Sequence, residues 1–260
     1  MNAVLRNVCK EPPEFLVHNI SRPPQSSISQ GSLSDYIARI EAENGDVEFG
    51  GRWSPHDCIP VRNVVIIVPF LGDNFQLWTW LRYMHPVLKR QKLHYQIFVV
   101  ENQSDTTGGA VLSVGQFLNS AAEQARYKGM QDGNVCLVFH YPSILPATDD
   151  EYFDCTEGTV KTFVDDPAGF IISMFADDFD YVDGFSQVAN EPTELAEDLR
   201  TRSALYMHIE RLLLGYHSVN QQYRDGNKVS SLAHQVPTNG NLQFERSRRL
   251  FTHLSVKNSL

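Results

Sequence analysis

Long apolar runs are missing from this sequence. The longest, Val64 to Leu71, has the length of a strand and falls far short of the roughly 18 apolar residues that cross a bilayer as a helix. The segment Met1 to Lys10 lacks the apolar centre of a signal peptide, so neither an anchor nor an export signal is visible. Clusters of Lys and Arg are also missing. With 22 basic against 31 acidic side chains the formal net charge is −9, which argues against a polyanionic nucleic-acid partner. Cysteine is scarce. The four present, Cys9, Cys58, Cys136 and Cys155, include no C-x-x-C pair, which argues against the common zinc and thiol-redox motifs. There is no internal repeat and no low-complexity tract.

What is present is enough apolar material for a core. At 42% hydrophobic and 20% charged residues, the 260-residue chain fits one large α/β domain or a domain with extensions. The even cysteine number and two sequons, Asn19-Ile20-Ser21 and Asn102-Gln103-Ser104, lean toward an oxidising compartment and mark Asn19 and Asn102 as candidate glycosylation sites. Combined with the missing leader, this predicts an N-terminal anchor upstream of Met1.

Residues 1–60 are punctuated by Pro12-Pro13, Pro23-Pro24 and a serine-rich stretch, and read as an N-terminal extension. One short helix is expected there, from Ser34 to Ala42. Residues 61–260 read as a single domain. Val64 to Val68 is a continuous β-branched run, as for a strand buried on both faces. Leu77 to Gln91 has helical spacing, with Pro86 expected to kink or shorten it. Tyr95–Val100 and Val135–Phe139 read as strands around a helix at Val111–Tyr127. Three strands with intervening helices imply a parallel sheet with right-handed crossovers, whose ligands bind beyond the carboxyl ends of the strands. The segments to inspect are Pro69 to Asn74, Glu101 to Gly109 and His140 to Pro146. Further on, Gly169–Met174 reads as a strand, Glu194–Leu214 as one long helix, and Leu250–Val256 as a last strand.

Several segments in order resemble the β-1,4-galactosyltransferase family. They are Gly50-Gly51-Arg52-Trp53-Ser54-Pro55-His56-Asp57-Cys58, the strand and Pro-Phe turn from Val64 to Phe70, and Tyr83-Met84-His85-Pro86-Val87-Leu88-Lys89-Arg90-Gln91. The strand Tyr95 to Val100, the cysteine-bracketed segment from Cys136 through Leu145-Pro146 to Cys155, Val182-Asp183-Gly184-Phe185 and Phe244 to Val256 complete the set. The resemblance covers about residues 9–256. It implies a GT-A-like, Rossmann-related mixed and mainly parallel sheet flanked by helices. It also implies a type II Golgi membrane enzyme that transfers galactose or a related sugar from a UDP-sugar donor to an acceptor glycan, using Mn²⁺ and inverting the anomeric centre. It further implies the pairings Cys9–Cys58 and Cys136–Cys155, each stabilising by roughly 3–4 kcal/mol in the chain-entropy model.

The chemistry that such a transferase needs departs from the family pattern. The leaving diphosphate needs a cation held by carboxylates, and the acceptor hydroxyl needs a positioned base. Where the family has Asp-Val-Asp, this sequence has Tyr141-Pro142-Ser143, and Ser143 is a poor ligand for a hard cation. His217 is the candidate for the family's histidine ligand, with Leu214 in the methionine position. Asp178-Phe179-Asp180 is a substitute acidic triplet, or else a solvated turn or helix start. In the donor pocket Pro69 and Phe70 match, but the family's arginines do not, and Asp73 would repel phosphate. Gly108-Gly109 remains as a backbone anion cradle. In the base loop the first two acids align with Leu195 and Ala196. Glu194, Glu197 and Asp198 are the candidate bases, or simply favourable charges at a helix start.

Two functions follow. One is an active glycosyltransferase with an altered, metal-independent site. The other is a Golgi or secreted pseudoenzyme that binds a glycan or a partner glycosyltransferase without turnover. Loss of metal ligands, phosphate cations and base together favours the second, since losing one charge-stabilising group alone costs a factor of ~100–1,000 in rate.

Overall fold

The computed structural model describes residues 7–10, 13, 16–17, 19–21, 33–70, 72–102, 112–128, 135–150, 152–167, 169–212, 215–218, 246–247 and 249–256. Its centre is three adjacent parallel strands: β2 (Asn63–Pro69), β3 (His94–Asn102) and β4 (Cys136–His140). The β-branched run that forms β2 alternates between two cores. Val64, Ile66 and Val68 pack on one face of the sheet, and Val65 and Ile67 on the other, as the two-residue period of a strand buried on both sides requires. The first face is covered by α1 (Leu33–Glu43) and α2 (Asn74–Arg90). The second is covered by α3 (Val114–Lys128), α4 (Ala176–Tyr181) and α5 (Pro192–Ser203).

The sheet grows outward from this centre. Strands β10 (Arg246–Ser247) and β11 (Thr252–Val256) lie beyond β3, with β11 parallel to it, and the short β1 (Arg52–Trp53) also pairs with β3. On the other side, β7 (Gly169–Phe175) runs antiparallel to β4. The sheet continues with β6 (Thr159–Asp166) and β8 (His208–Arg211), giving the strand order β10-β11-β3-β2-β4-β7-β6-β8. The sheet is therefore mixed and mainly parallel, as expected. A second, two-stranded sheet pairs β5 (Ile144–Pro146) with β9 (Tyr216–Ser218). Among the described residues no helix is long and apolar enough to cross a membrane.

Both disulfides are formed, Cys9–Cys58 and Cys136–Cys155. The first closes the N-terminal segment against Ile59, where Cys9 N–H donates to the Ile59 carbonyl at 2.9 Å. Farther along this segment, Val17 N–H donates to Asp149 Oδ1 at 2.9 Å and Ile20 N–H to the Ala147 carbonyl at 2.7 Å. Asp149 is fully buried, and its charge is matched by Arg90 Nε at 2.5 Å. Removing that arginine would leave a buried carboxylate without its cation, the costly way to break such a pair.

Two elements differ from the sequence expectation. Helix α2 is not shortened by Pro86 and continues to Arg90. The buried side chains on both sides of the proline, Met84 and His85 before it and Val87 and Leu88 after it, hold the helix against the sheet, and tertiary packing outweighs the lost hydrogen bond. The long helix expected from Glu194 to Leu214 ends at Ser203. After a turn the chain becomes β8, which adds in parallel to β6. Leu205 and Tyr206, which the helical reading would place along one continuous element, are exposed in that turn.

Two histidines lie fully inside the first core. His85 Nε2 is 3.0 Å from the Leu250 carbonyl, which can only accept, so Nδ1 accepts from the Tyr95 hydroxyl at 2.8 Å. His140 Nδ1 accepts from Trp80 Nε1 at 3.0 Å, and its Nε2 has no partner among the described residues. Burial, the leading cause for both, lowers each pKa from 6.5 to about 3. Between those values the unfolded chain binds protons that the folded chain does not. Stability is therefore complete above about pH 6.5 and is lost as pH falls toward 3, with a limiting slope of about 1.4 kcal/mol per pH unit for each histidine. Urea midpoints measured across this range test it. The slope should be shallower in His85→Gln, and a midpoint independent of pH from 6.5 to 4 would refute the assignment.

Candidate functional site

The carboxyl ends of β2, β3 and β4 lie side by side, so the expected site has a definite location. At the end of β2, Pro69 pairs with Val100, and Phe70 N–H donates to the Val100 carbonyl at 2.7 Å. Asp73, two residues past Leu71, is the N-cap of α2: its Oδ1 accepts from Gln76 N–H at 3.0 Å. The residue that would repel phosphate thus has a local structural task. Gly108 and Gly109 lie outside the described residues, as do Leu71 and Leu214.

The turn after β4 is the decisive segment. Tyr141, Pro142 and Ser143 are all buried. The Tyr141 ring packs on Phe170 with centroids 4.8 Å apart, and its N–H donates to the Phe170 carbonyl at 3.2 Å. Across from it, Gly169 has φ +152°, and a Cβ there would lie 2.5 Å from Tyr141 Cβ and 3.1 Å from Ser143 Oγ. The turn is therefore closed by contact with backbone. Burial, and after it the Glu191 carboxylate, pushes the Tyr141 hydroxyl well above the usual phenol range, so it is a neutral donor and cannot stand in for an acid. Glu191, at the N-cap of α5, was not singled out by sequence reasoning. Only the fold brings it near Tyr141, and no motif announces it.

His217 arrives beside this turn: β9 pairs with β5 so that His217 faces Leu145. Its Nε2 is 3.0 Å from the Ile20 carbonyl. A carbonyl can only accept, so this nitrogen carries the proton and its lone pair is unavailable to a metal. The substitute triplet is placed in α4. Asp178 accepts from Gly158 N–H at 3.0 Å, Phe179 is buried in the second core, and Asp180 pairs with Arg126. Among the described residues no three His, Cys, Asp or Glu side chains come together to hold a metal ion. Ser143, His217 and the α4 acids therefore do not make a donor set for Mn²⁺, a hard cation that asks for several convergent oxygens.

The candidate bases all lie on α5, and the fold separates their roles. Leu195 and Ala196 are fully buried in the second core. Glu197 is exposed and pairs with Arg200 at 2.5 Å and Arg211 at 3.9 Å, which hold its carboxyl below the usual range. Asp198 is a positioning group. Its Oδ2 accepts from Ser186 N–H at 3.2 Å and from Arg202 at 2.5 Å, while Arg202 also donates to the carbonyls of Val182 and Gly184. The pair clamps the turn that contains Asp183 and Gly184. Glu194 is exposed in the first turn of α5, where a negative charge favours the helix dipole.

The model for the N-terminal region of glycosyl transferase group 7 matches residues 24–156. Mouse (Mus musculus) β-1,4-galactosyltransferase 2 is 34% identical over 140 residues, covering 53% of this chain and 34% of that protein. Human (Homo sapiens) β-1,4-galactosyltransferase 1 is 33% identical over 117 residues, covering 45% and 27%. The chain thus spans about a third of the length of the curated relatives it matches. Among solved structures, the catalytic domain of Drosophila β-1,4-galactosyltransferase 7 with xylobiose has a TM-score of 0.52 at 14% identity, covering 77% of this chain and 95% of that chain. A mutant of the same enzyme in complex with manganese, UDP-Gal and xylobiose has the same score at 16% identity. These structures share the GT-A glycosyltransferase fold with this chain. The chain belongs to glycosyl transferase group 7 and, within it, is a β-1,4-galactosyltransferase family member.

The two adjacent α5 acids give a test of these roles. Asp198→Ala should lower the thermal midpoint by roughly 3–6 °C, because it removes a clamp that contributes about 1–2 kcal/mol. Glu197→Ala should move it by less than about 1 °C. Differential scanning calorimetry decides, and equal shifts for both variants would contradict the assignment.

Proposed function

We propose that this chain is a galactosyltransferase-like protein of the secretory pathway that does not catalyse metal-assisted transfer from a UDP-sugar, and that it acts as a non-catalytic glycan-binding module. The observation that carries this reading is the turn after β4. The residues standing where a carboxylate-bearing metal loop is needed are neutral, buried and packed against Gly169. Charge at that edge would have to be desolvated. The base loop supports the same reading, since its first two acidic positions are core residues here. The two disulfides and the exposed Asn19 of the first sequon fit passage through the Golgi lumen or secretion. Asn19 and Asn102 are the proposed glycan attachment sites. A partner glycosyltransferase is a natural associate for such a module.

A second reading, a metal-independent transferase, is favoured by one feature. Glu194 sits exposed at the start of α5, where a base could approach an acceptor hydroxyl without breaking an existing ion pair.

Isothermal calorimetry with UDP and UDP-galactose, with and without Mn²⁺, should show no Mn²⁺-dependent binding. Binding near micromolar affinity would overturn the non-catalytic reading. UDP-galactose hydrolysis or transfer should be absent under the same conditions. Turnover abolished by Glu194→Ala alone would establish the second reading, and turnover that survives Glu194→Ala, Glu197→Ala and Asp198→Ala together would exclude all three as bases.

A further inference from the structure

Helices α3 and α4, with the turn that follows α4, enclose a cavity of about 550 Å³ on the face of the sheet opposite α2. Its floor includes Leu137 near the start of β4, so it opens toward the amino ends of the central strands. The residues of the β4 turn and the candidate bases do not line it. The volume falls within the roughly 300–1,000 Å³ of small-molecule sites.

The lining has two parts. Ala122, Leu137 and Phe179 form an apolar floor, and all three are buried. The rim carries Glu123, Arg126, Asp180, Asp183 and Gln187. The frame holding this rim is well tied. Asn119 bonds Phe185 twice, its Oδ1 accepting from the N–H at 2.8 Å and its Nδ2 donating to the carbonyl at 2.9 Å. Arg126 bridges α3 to Asp177 and Asp180 of α4, and Arg202 grips the turn from behind. Gly184 is required at its place, because a Cβ there would lie 2.5 Å from Asn119 Oδ1. Glu123, Asp183 and Gln187 make no side-chain hydrogen bond or ion pair among the described residues.

The distribution of these groups selects the ligand. A metal ion asks for carboxylates converging on one point, and no such group of three exists among the described residues. An anion would meet three carboxylates and one arginine that is already paired. An apolar ligand would strip water from the rim without replacing its hydrogen bonds. Acceptors spread around an apolar floor instead match a ring with hydroxyl donors along its edge and C–H bonds on its face. We propose that this cavity binds a neutral saccharide of one or two rings. Glu123 and Asp183 would accept from its hydroxyls, Gln187 would donate, and one sugar face would lie on Ala122, Leu137 and Phe179. This deepens the glycan-binding reading above and rests on it for the ligand class. Its test uses neither Mn²⁺ nor UDP, so the two can fail separately.

The experiment is a titration of the isotopically labelled full chain, followed by amide NMR, with lactose, N-acetyllactosamine and xylobiose. At least one should produce saturable shifts confined to residues 119–126 and 179–187, unaffected by added salt because the ligand is neutral. The double variant Glu123→Gln with Asp183→Asn should bind about tenfold more weakly at an unchanged thermal midpoint, since both side chains are exposed and asparagine tolerates the positive φ of Asp183. Absence of shifts in this region with all three sugars overturns the proposal, as do shifts that the double variant leaves intact. Salt-sensitive shifts produced by arginine amide, in place of the sugars, would also overturn it and would assign the cavity to a cationic partner.

Discussion

A missing Cβ governs the functional edge of this molecule. At Gly169 the chain enters β7 so close to Tyr141 and Ser143 that any side chain would overlap them. The contact lets the turn after β4 fold inward, with the Tyr141 ring on Phe170 and its N–H on the Phe170 carbonyl. The Cys136–Cys155 bridge ties the other end of β4. A carboxylate in the turn would lose its hydration, which is costly for a buried charge unless a cation pairs with it. The neutrality of the turn is thus a property of how it packs and goes beyond which three residues occupy it.

The same shift from charge to packing runs along α5. Leu195 and Ala196 face the second core, and Asp198 reaches back to the turn through its carboxylate, which accepts from Ser186 N–H and from Arg202. That carboxylate is already occupied by contacts that hold the turn in place. Glu197 is likewise stabilised as an anion by Arg200 and Arg211, which lowers its basicity. Helix α5 therefore supports the fold at the position where a base loop would support chemistry.

Much of the framework was legible in the sequence, and the reasons are physical. The β-branched run of β2 and the cysteine-bracketed segment carry strong local signals, and both disulfides followed from the ordered resemblance. Strand β6 was missed because a register shift between Thr162 and Val164 breaks the alternation that identifies a half-buried strand. The end of α5 was missed because Tyr206, Ile209 and Leu213 continue the helical spacing of Leu195 and Leu199 by coincidence. The free edge of β6 captures the chain as β8, and that edge is invisible in one dimension. The Asp198–Arg202 pair has the i,i+4 spacing of a helical ion pair, so it was readable in principle. What the sequence does not show is that Arg202 reaches the carbonyls of Val182 and Gly184 while Asp198 reaches the Ser186 N–H. The cavity between α3 and α4 was not legible at all, since its lining comes from three separate segments.

Active sites ordinarily hold charges and exposed polar groups that a fold would be more stable without. At the carboxyl edge of this sheet that tension has been relieved. Tyr141 and Ser143 are buried, Leu195 and Ala196 are fully enclosed, and Asp73 and Asp198 cap or clamp backbone. On the opposite side of the second core the tension persists: Asp183 is held at φ +60°, and Glu123 and Gln187 remain without side-chain partners among the described residues. Exposed acceptors of this kind are hydrogen-bonded to water, which a ligand with hydroxyl donors would replace. In this molecule that contrast directs attention away from the inherited transferase edge and toward the α3–α4 face.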